Sequence, residues 1–228
     1  MTEARASFGR APKPMIVGAS CGPMILEAIA CRDPPPSMPK LLTVIGSTRP
    51  GRVGLPVADW FVEQATAHGA FELEVADLAE LDLPLLDEPN HPRLRKYTKD
   101  HTHAWSAIVD GADAIVMVTS EYNYGYPAAL KNAIDYLHNE WHYKPVGFVS
   151  YGGVAAGTRA VQQLKQVVSA LSMMPIAPSV NIPFVQQFLD DNHAIQGNEV
   201  MLQAASDMLD ELLRVQAALA PLRTKTAA

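Results

Sequence analysis

The segment Leu41-Leu42-Thr43-Val44-Ile45 is a nearly unbroken apolar run closed by Gly46. A strand with one solvated face alternates apolar and polar residues, whereas a run of this kind suits a strand covered on both faces, as in a parallel sheet flanked by helices. The chain then turns through nine residues and enters a helical pattern. From Leu55 to His68 the residues Val57, Phe61 and Ala65 recur every four positions, Pro56 sits in the first turn where its missing N–H is harmless, and Gly69 follows as a stop.

The same unit recurs along the sequence. Strands are expected at Phe71–Leu78, Asp113–Thr119, Pro145–Ser150 and Met174–Val180, and helices at Tyr97–Val109, Pro127–His138 and Thr158–Leu171. A last helix carries Met201, Ala205, Met208, Leu212, Val215 and Leu219 at alternating spacings of four and three, one apolar stripe facing the sheet. Five strands alternating with five helices predict an α/β fold, a three-layer doubly wound sheet with right-handed crossovers. If it is flavodoxin-like, the order is 2-1-3-4-5, and a ligand sits beyond the carboxyl ends of strands one and three.

The Pro34-Pro35-Pro36-Ser37-Met38-Pro39 stretch marks a boundary. Residues 1–38 are expected to be a disordered extension, 39–222 the folded domain and 223–228 a tail. Met15 to Cys31 is apolar but interrupted by Gly18, Gly22, Pro23 and Glu27, too short and broken to span a bilayer. Both cysteines, Cys21 and Cys31, precede the domain, which leaves its core no disulfide framework and fits a reducing cytoplasm. With 18 Lys+Arg against 24 Asp+Glu, a net charge of −6 and no dense basic run, nucleic acid is not an expected partner. His138 and His142 are four apart without a further clear ligand, so no metal site is expected.

Three loops carry the chemistry. After strand one, Gly46-Ser47-Thr48-Arg49-Pro50-Gly51-Arg52-Val53-Gly54 delivers hydroxyls and guanidinium groups to a helix start, where backbone N–H groups and the helix dipole favour an anion. Its glycine spacing does not suit a dinucleotide pyrophosphate, and its donors suit a terminal phosphomonoester. Strand three runs into Glu121-Tyr122-Asn123-Tyr124-Gly125-Tyr126-Pro127, where aromatic faces can wall a flat heterocycle. Strand four ends in Ser150-Tyr151-Gly152-Gly153, whose glycines admit close backbone approach. A flavodoxin-like sheet places these loops side by side.

The combination of GSTRPGRVG, EYNYGYPAALKNAIDY and SYGG resembles the NADPH-dependent FMN reductase family, which includes azo-, quinone- and chromate-reducing flavoproteins. The resemblance covers about residues 40–185. Its most specific part is the second motif, which departs from the family pattern only at Ser120, where a proline is usual. The resemblance implies that the first loop binds the phosphate of FMN, with roles for Ser47 and Arg49 and with Arg52 supplying charge where the family often has a hydroxyl; Thr48, Val53 and Gly54 of the same loop are expected to bind the cofactor as well. It implies that Glu121, Tyr122, Asn123, Ser150, Gly152 and Gly153 hold the isoalloxazine ring, and Tyr124 and Tyr151 in the same loops are expected to bind the cofactor too. It further implies NADPH or NADH as reductant, a small electron acceptor, ping-pong turnover, and a homodimer or homotetramer. The flavin carries the chemistry, so no catalytic side chain is expected. A flavodoxin-type electron carrier and a non-enzymatic flavin-binding module are the alternatives.

Overall fold

The computed structural model describes residues 38–223, and the expected N-terminal extension, Met38 apart, and all of the expected tail except Arg223 lie outside them. The first strand, β1 (Lys40–Ile45), is flanked by β2 (Glu72–Asp77) and β3 (Ala114–Ser120); β4 (Pro145–Tyr151) lies beyond β3. All pairings are parallel, and the order 2-1-3-4-5 is the one expected of a flavodoxin-like sheet.

Side-chain alternation along each strand divides the core in two. Leu41, Ile45, Val116, Val118 and Val149 point to one face, covered by α1 (Gly54–His68) and α6 (Glu199–Arg223). Leu42, Val44, Ile115, Met117, Val146 and Phe148 point to the other, covered by α3 (Asp100–Gly111), α4 (Ala128–Asp135) and α5 (Thr158–Ala170). The four-residue spacing in α1 buries Val57, Phe61 and Ala65 completely, and burial of a side chain the size of Phe61 contributes roughly 2 kcal/mol. Gly69 ends that helix at φ +72°, its N–H returning to the Ala65 carbonyl at 3.2 Å. The α6 stripe buries Met201, Ala205, Met208 and Leu212, while Val215 is only partly covered. A Cβ on Gly147 would stand 2.9 Å from Met208 Sδ, so α6 lies close against β4.

The fifth strand departs from expectation. It is two short strands, β5 (Met174–Pro175) and β6 (Val180–Ile182), both paired with β4. Between the pairs Val146–Pro175 and Val149–Val180 the β4 side has two residues and the other side four, Ile176 to Ser179. The surplus includes Pro178, which has no N–H to give the ladder, and the chain leaves the sheet there. The helix expected from Tyr97 begins at Asp100, because the Glu88 carboxylate accepts the N–H groups of Thr98 and Lys99 at 2.8–3.0 Å and holds them outside the helix. A four-residue helix not expected from the sequence, α2 (Leu78–Leu81), follows β2 directly, capped by Asp77 accepting from the Ala79 N–H at 2.9 Å.

Candidate functional site

At the carboxyl edge of the sheet, the chain leaving β1 extends its pairing by one bond, Gly46 N–H to the Val118 carbonyl at 2.9 Å. It then turns at Pro50-Gly51, closed by the Arg52 N–H on the Arg49 carbonyl at 3.0 Å, with Gly51 at φ +66° where only glycine sits without strain. Helix α1 starts immediately after, with no side-chain cap and no acidic residue in its first turn. Its orphan N–H groups and positive dipole end are thus left for an anion.

Ser47, Arg49, Arg52 and Val53 line a cavity of about 180 Å³ together with Glu121, Tyr122, Tyr151 and Gly152, so one hollow joins all three sequence motifs. The Ser47 hydroxyl is buried and lies 3.1 Å from the Tyr122 phenol. Burial pushes the pKa of the Tyr122 phenol up, but the neighbouring Ser120 and Ser47 hydroxyls and the Arg49 guanidinium outweigh it, so the phenol titrates below its ordinary value. Beneath the start of α1 stands the Tyr151 side chain, its hydroxyl 2.6 Å from where a Cβ on Gly54 would be. Burial is the main cause holding the Tyr151 phenol above the ordinary value.

Arg52 behaves differently from a free phosphate-binding cation. Its guanidinium is ion-paired with the nearly buried Asp77 at the end of β2, which leaves Arg49 as the exposed cation of the turn. Thr48 lines a separate cavity against α2 and α4. The Ser150 hydroxyl donates to Asn181 Oδ1 at 2.9 Å, tying β4 to β6 rather than facing the hollow. Gly152 gives its N–H to the Ile182 carbonyl, while Gly153 borders a neighbouring cavity of about 380 Å³ and faces open space.

The second motif folds as a tight two-residue hairpin. Tyr122 and Gly125 exchange both backbone hydrogen bonds, at 2.8 and 2.9 Å, and the intervening Asn123 and Tyr124 have φ +50° and +72°. Positive φ at both central positions is the turn type that matches strand twist, but for tyrosine it is strained. Asn123 is exposed at the tip. Glu121 points back, ion-paired with Arg159 of α5 and accepting the Arg159 N–H at 3.2 Å.

The sequence did not disclose several contributors. Ser120, Val185 and Gln186 also line the first cavity, and Phe184 and Gln187 line the second. The segment after β6 belongs to the site because every loop leaving the carboxyl edge of a parallel sheet converges there, a signal obscured when the fifth strand is taken to end at Val180. Arg159 carried no motif of its own.

These residues fit an FMN phosphate and its attached ring. The cradle offers an uncapped helix start, a buried serine hydroxyl, the Arg49 cation, and two buried polar atoms, Arg52 Nε and Ser120 Oγ, without a hydrogen bond of good geometry within the described chain. A larger hollow of about 500 Å³ lies at the opposite edge, but its buried groups are already engaged: Lys144 donates to the Val109 and Asp110 carbonyls, and Glu140 accepts from Tyr97, Ser106 and Arg95. His138 and His142 meet ring to ring at 4.9 Å, and among the described residues no group of three or more His, Cys, Asp or Glu is placed to hold a metal ion. No described helix is long and apolar enough to cross a membrane.

Fold and site together define a flavodoxin-like protein with an uncapped helix start beside an aromatic hairpin. The chain belongs to the NADPH-dependent FMN reductase family, whose sequence profile matches residues 39–187. It is 42% identical over 149 residues to an NAD(P)H-dependent FMN reductase of Schizosaccharomyces pombe, covering 64% of this chain and 74% of that one. It is 39% identical over 158 residues to the NAD(P)H-dependent FMN reductase LOT6 of Saccharomyces cerevisiae, covering 63% and 81%. Among solved structures, the flavoenzyme NAD(P)H:(acceptor) oxidoreductase FerB of Paracoccus denitrificans superposes with a TM-score of 0.65 at 20% identity, over 79% of this chain and 98% of that one, a likeness of fold. The chain is accordingly an oxidoreductase of this family, with FMN as its flavin and NADPH or NADH as its reductant.

Proposed function

We propose that the protein passes two electrons from NADPH or NADH to a small planar acceptor, a flavin, quinone or azo compound, in two half-reactions at one site. In sum, NAD(P)H, one proton and an oxidised acceptor give NAD(P)+ and the acceptor carrying two added hydrogens. The observation that carries this reading is the single hollow shared by the loops after β1, β3 and β4, with the segment after β6 closing it.

FMN would supply the hydride and electron chemistry. The protein's part is binding and orientation. Ser47, Arg49 and the first turn of α1 anchor the phosphate; the 121–125 hairpin and the Gly152-Gly153 backbone border the ring. Gly153 and Phe184, the latter half exposed, leave the second cavity open to a planar molecule. One open approach favours donor and acceptor entering in turn.

Initial rates measured against NAD(P)H at several fixed concentrations of a quinone test the reading. Parallel double-reciprocal lines are expected; intersecting lines would mean that both substrates bind together. The family resemblance also supports a homodimer or homotetramer, which light scattering at micromolar concentration tests: a monomeric mass would remove it.

A further inference from the structure

We infer that Arg159, at the start of α5, is a positioning residue that holds the Tyr122–Gly125 hairpin in its strained shape and so prepares the ring-binding side of the site. This rests on the flavin reading above, and it concerns a residue that none of the three motifs contains.

The geometry converges on this one side chain. Its guanidinium carbon lies 3.9 Å from the centre of the Tyr124 ring, while its NH2 group pairs with the Glu121 carboxylate, whose side chain is only 8% exposed. The Arg159 backbone N–H binds the other oxygen of the same carboxylate at 3.2 Å. Glu121 precedes the Tyr122–Gly125 pair and Tyr124 lies in the turn between them, so a single planar cation links the residue that enters the hairpin to a residue at its tip. Lysine cannot do both, because an ammonium offers neither a fork for a carboxylate nor a flat face for a ring. From one turn further along α5, Gln163 donates to the Tyr124 carbonyl at 3.1 Å.

The hairpin needs such a hold. Asn123 accepts positive φ readily, but Tyr124 at φ +72° is in a region that non-glycine residues avoid, and strain of this kind persists only when surroundings over-determine it. Tyr124 itself is 62% exposed, so packing does not fix it. The stacked guanidinium and the Gln163 bond do. Tyr122, at the other end of the turn, reaches Ser47 in the cradle, so the hairpin's shape also sets where the phenol meets the phosphate loop. Arg159 Nε is buried and has no hydrogen-bond partner within the described chain, which leaves a donor unsatisfied at this position.

The test uses the full-length chain as wild type, Arg159→Ala and Arg159→Lys. Each is titrated with FMN and with riboflavin by flavin fluorescence, its melting temperature is measured, and amide exchange is followed at Tyr122 and Gly125. In Arg159→Ala both flavins are expected to bind more weakly by a similar factor, on the order of tenfold, because a site that must be ordered on binding loses affinity for everything that uses it. The Tyr122 and Gly125 amides should exchange faster, the melting temperature should move by less than about 2 °C, and Arg159→Lys should recover only part of the affinity. Unchanged riboflavin affinity in Arg159→Ala would overturn the inference, whatever happened to FMN. So would an affinity loss accompanied by a large fall in melting temperature, which would make Arg159 a structural support. A wild type that binds neither flavin would instead overturn the flavin reading itself.

Discussion

Ser47 Oγ and the Tyr122 phenolic oxygen lie 3.1 Å apart although 75 positions separate them in the sequence. One belongs to the turn after β1, the other to the hairpin after β3, and parallel pairing of β1 with β3 brings their carboxyl ends together. The contact makes one site of two motifs that were recognised separately.

On the proposed reading Arg49 anchors the phosphate and not the ring, so its substitution distinguishes the two. Arg49→Ala should weaken FMN by roughly thirtyfold, the equivalent of losing a charge-assisted hydrogen bond of about 2 kcal/mol. Riboflavin, which lacks the phosphate, should lose little, and the variant saturated with FMN should be reduced by NAD(P)H at a similar rate. Equal weakening of both flavins, read by fluorescence titration, would remove Arg49 from the phosphate site.

Gly54 is predicted to be irreplaceable for a reason that a second substitution can relieve. A Cβ at this position meets the Tyr151 hydroxyl at 2.6 Å, while the next nearest atoms are at 3.4 Å or more. Gly54→Ala should therefore cost on the order of 1–3 kcal/mol of stability by overpacking. Adding Tyr151→Phe should recover most of it. Denaturant unfolding of the single and double variants checks this: if the double variant is no more stable than Gly54→Ala alone, the clash is not the cause.

Lys144 gives a pH dependence of defined sign. Burial, and to a lesser degree the nearby Arg223, outweighs Asp110, Asp113 and Glu140 and lowers its pKa to about 8 from an ordinary 10.5. Between those values the unfolded chain binds more protons than the folded one, so this group's contribution makes stability rise with pH and become complete above the unfolded value. The span is on the order of 3 kcal/mol. Urea unfolding from pH 8 to 10 should show the stability difference between wild type and Lys144→Met increasing with pH; a flat or falling difference would contradict the assignment.

Much of the scaffold was legible because burial writes itself into sequence periodicity. The continuous run in β1 and the four-residue spacing in α1 each specify a partner surface, and the sheet order followed from the flavodoxin-like reading of their alternation. What escaped was set by tertiary contact. The two-residue surplus around Pro178 that splits the fifth strand depends on how β4 pairs, and the displacement of the α3 start depends on Glu88, ten residues upstream of Thr98. In the candidate site, Ser47 and Tyr122 stood out in the sequence by residue chemistry, and the fold brings both to one hollow. The turning of Arg52 to Asp77 and of Ser150 to Asn181 was not legible in the sequence, because those partners come from neighbouring strands.

The central claim is that this chain accepts electrons directly from a nicotinamide through a flavin held at the β1–β3 edge. Purified protein carrying FMN, kept anaerobic, should lose its visible flavin absorption on addition of NADPH or NADH alone and regain it when a quinone is added. A flavin band that stays unbleached by either nicotinamide until a separate reductase is supplied would contradict the account and make the protein an electron carrier.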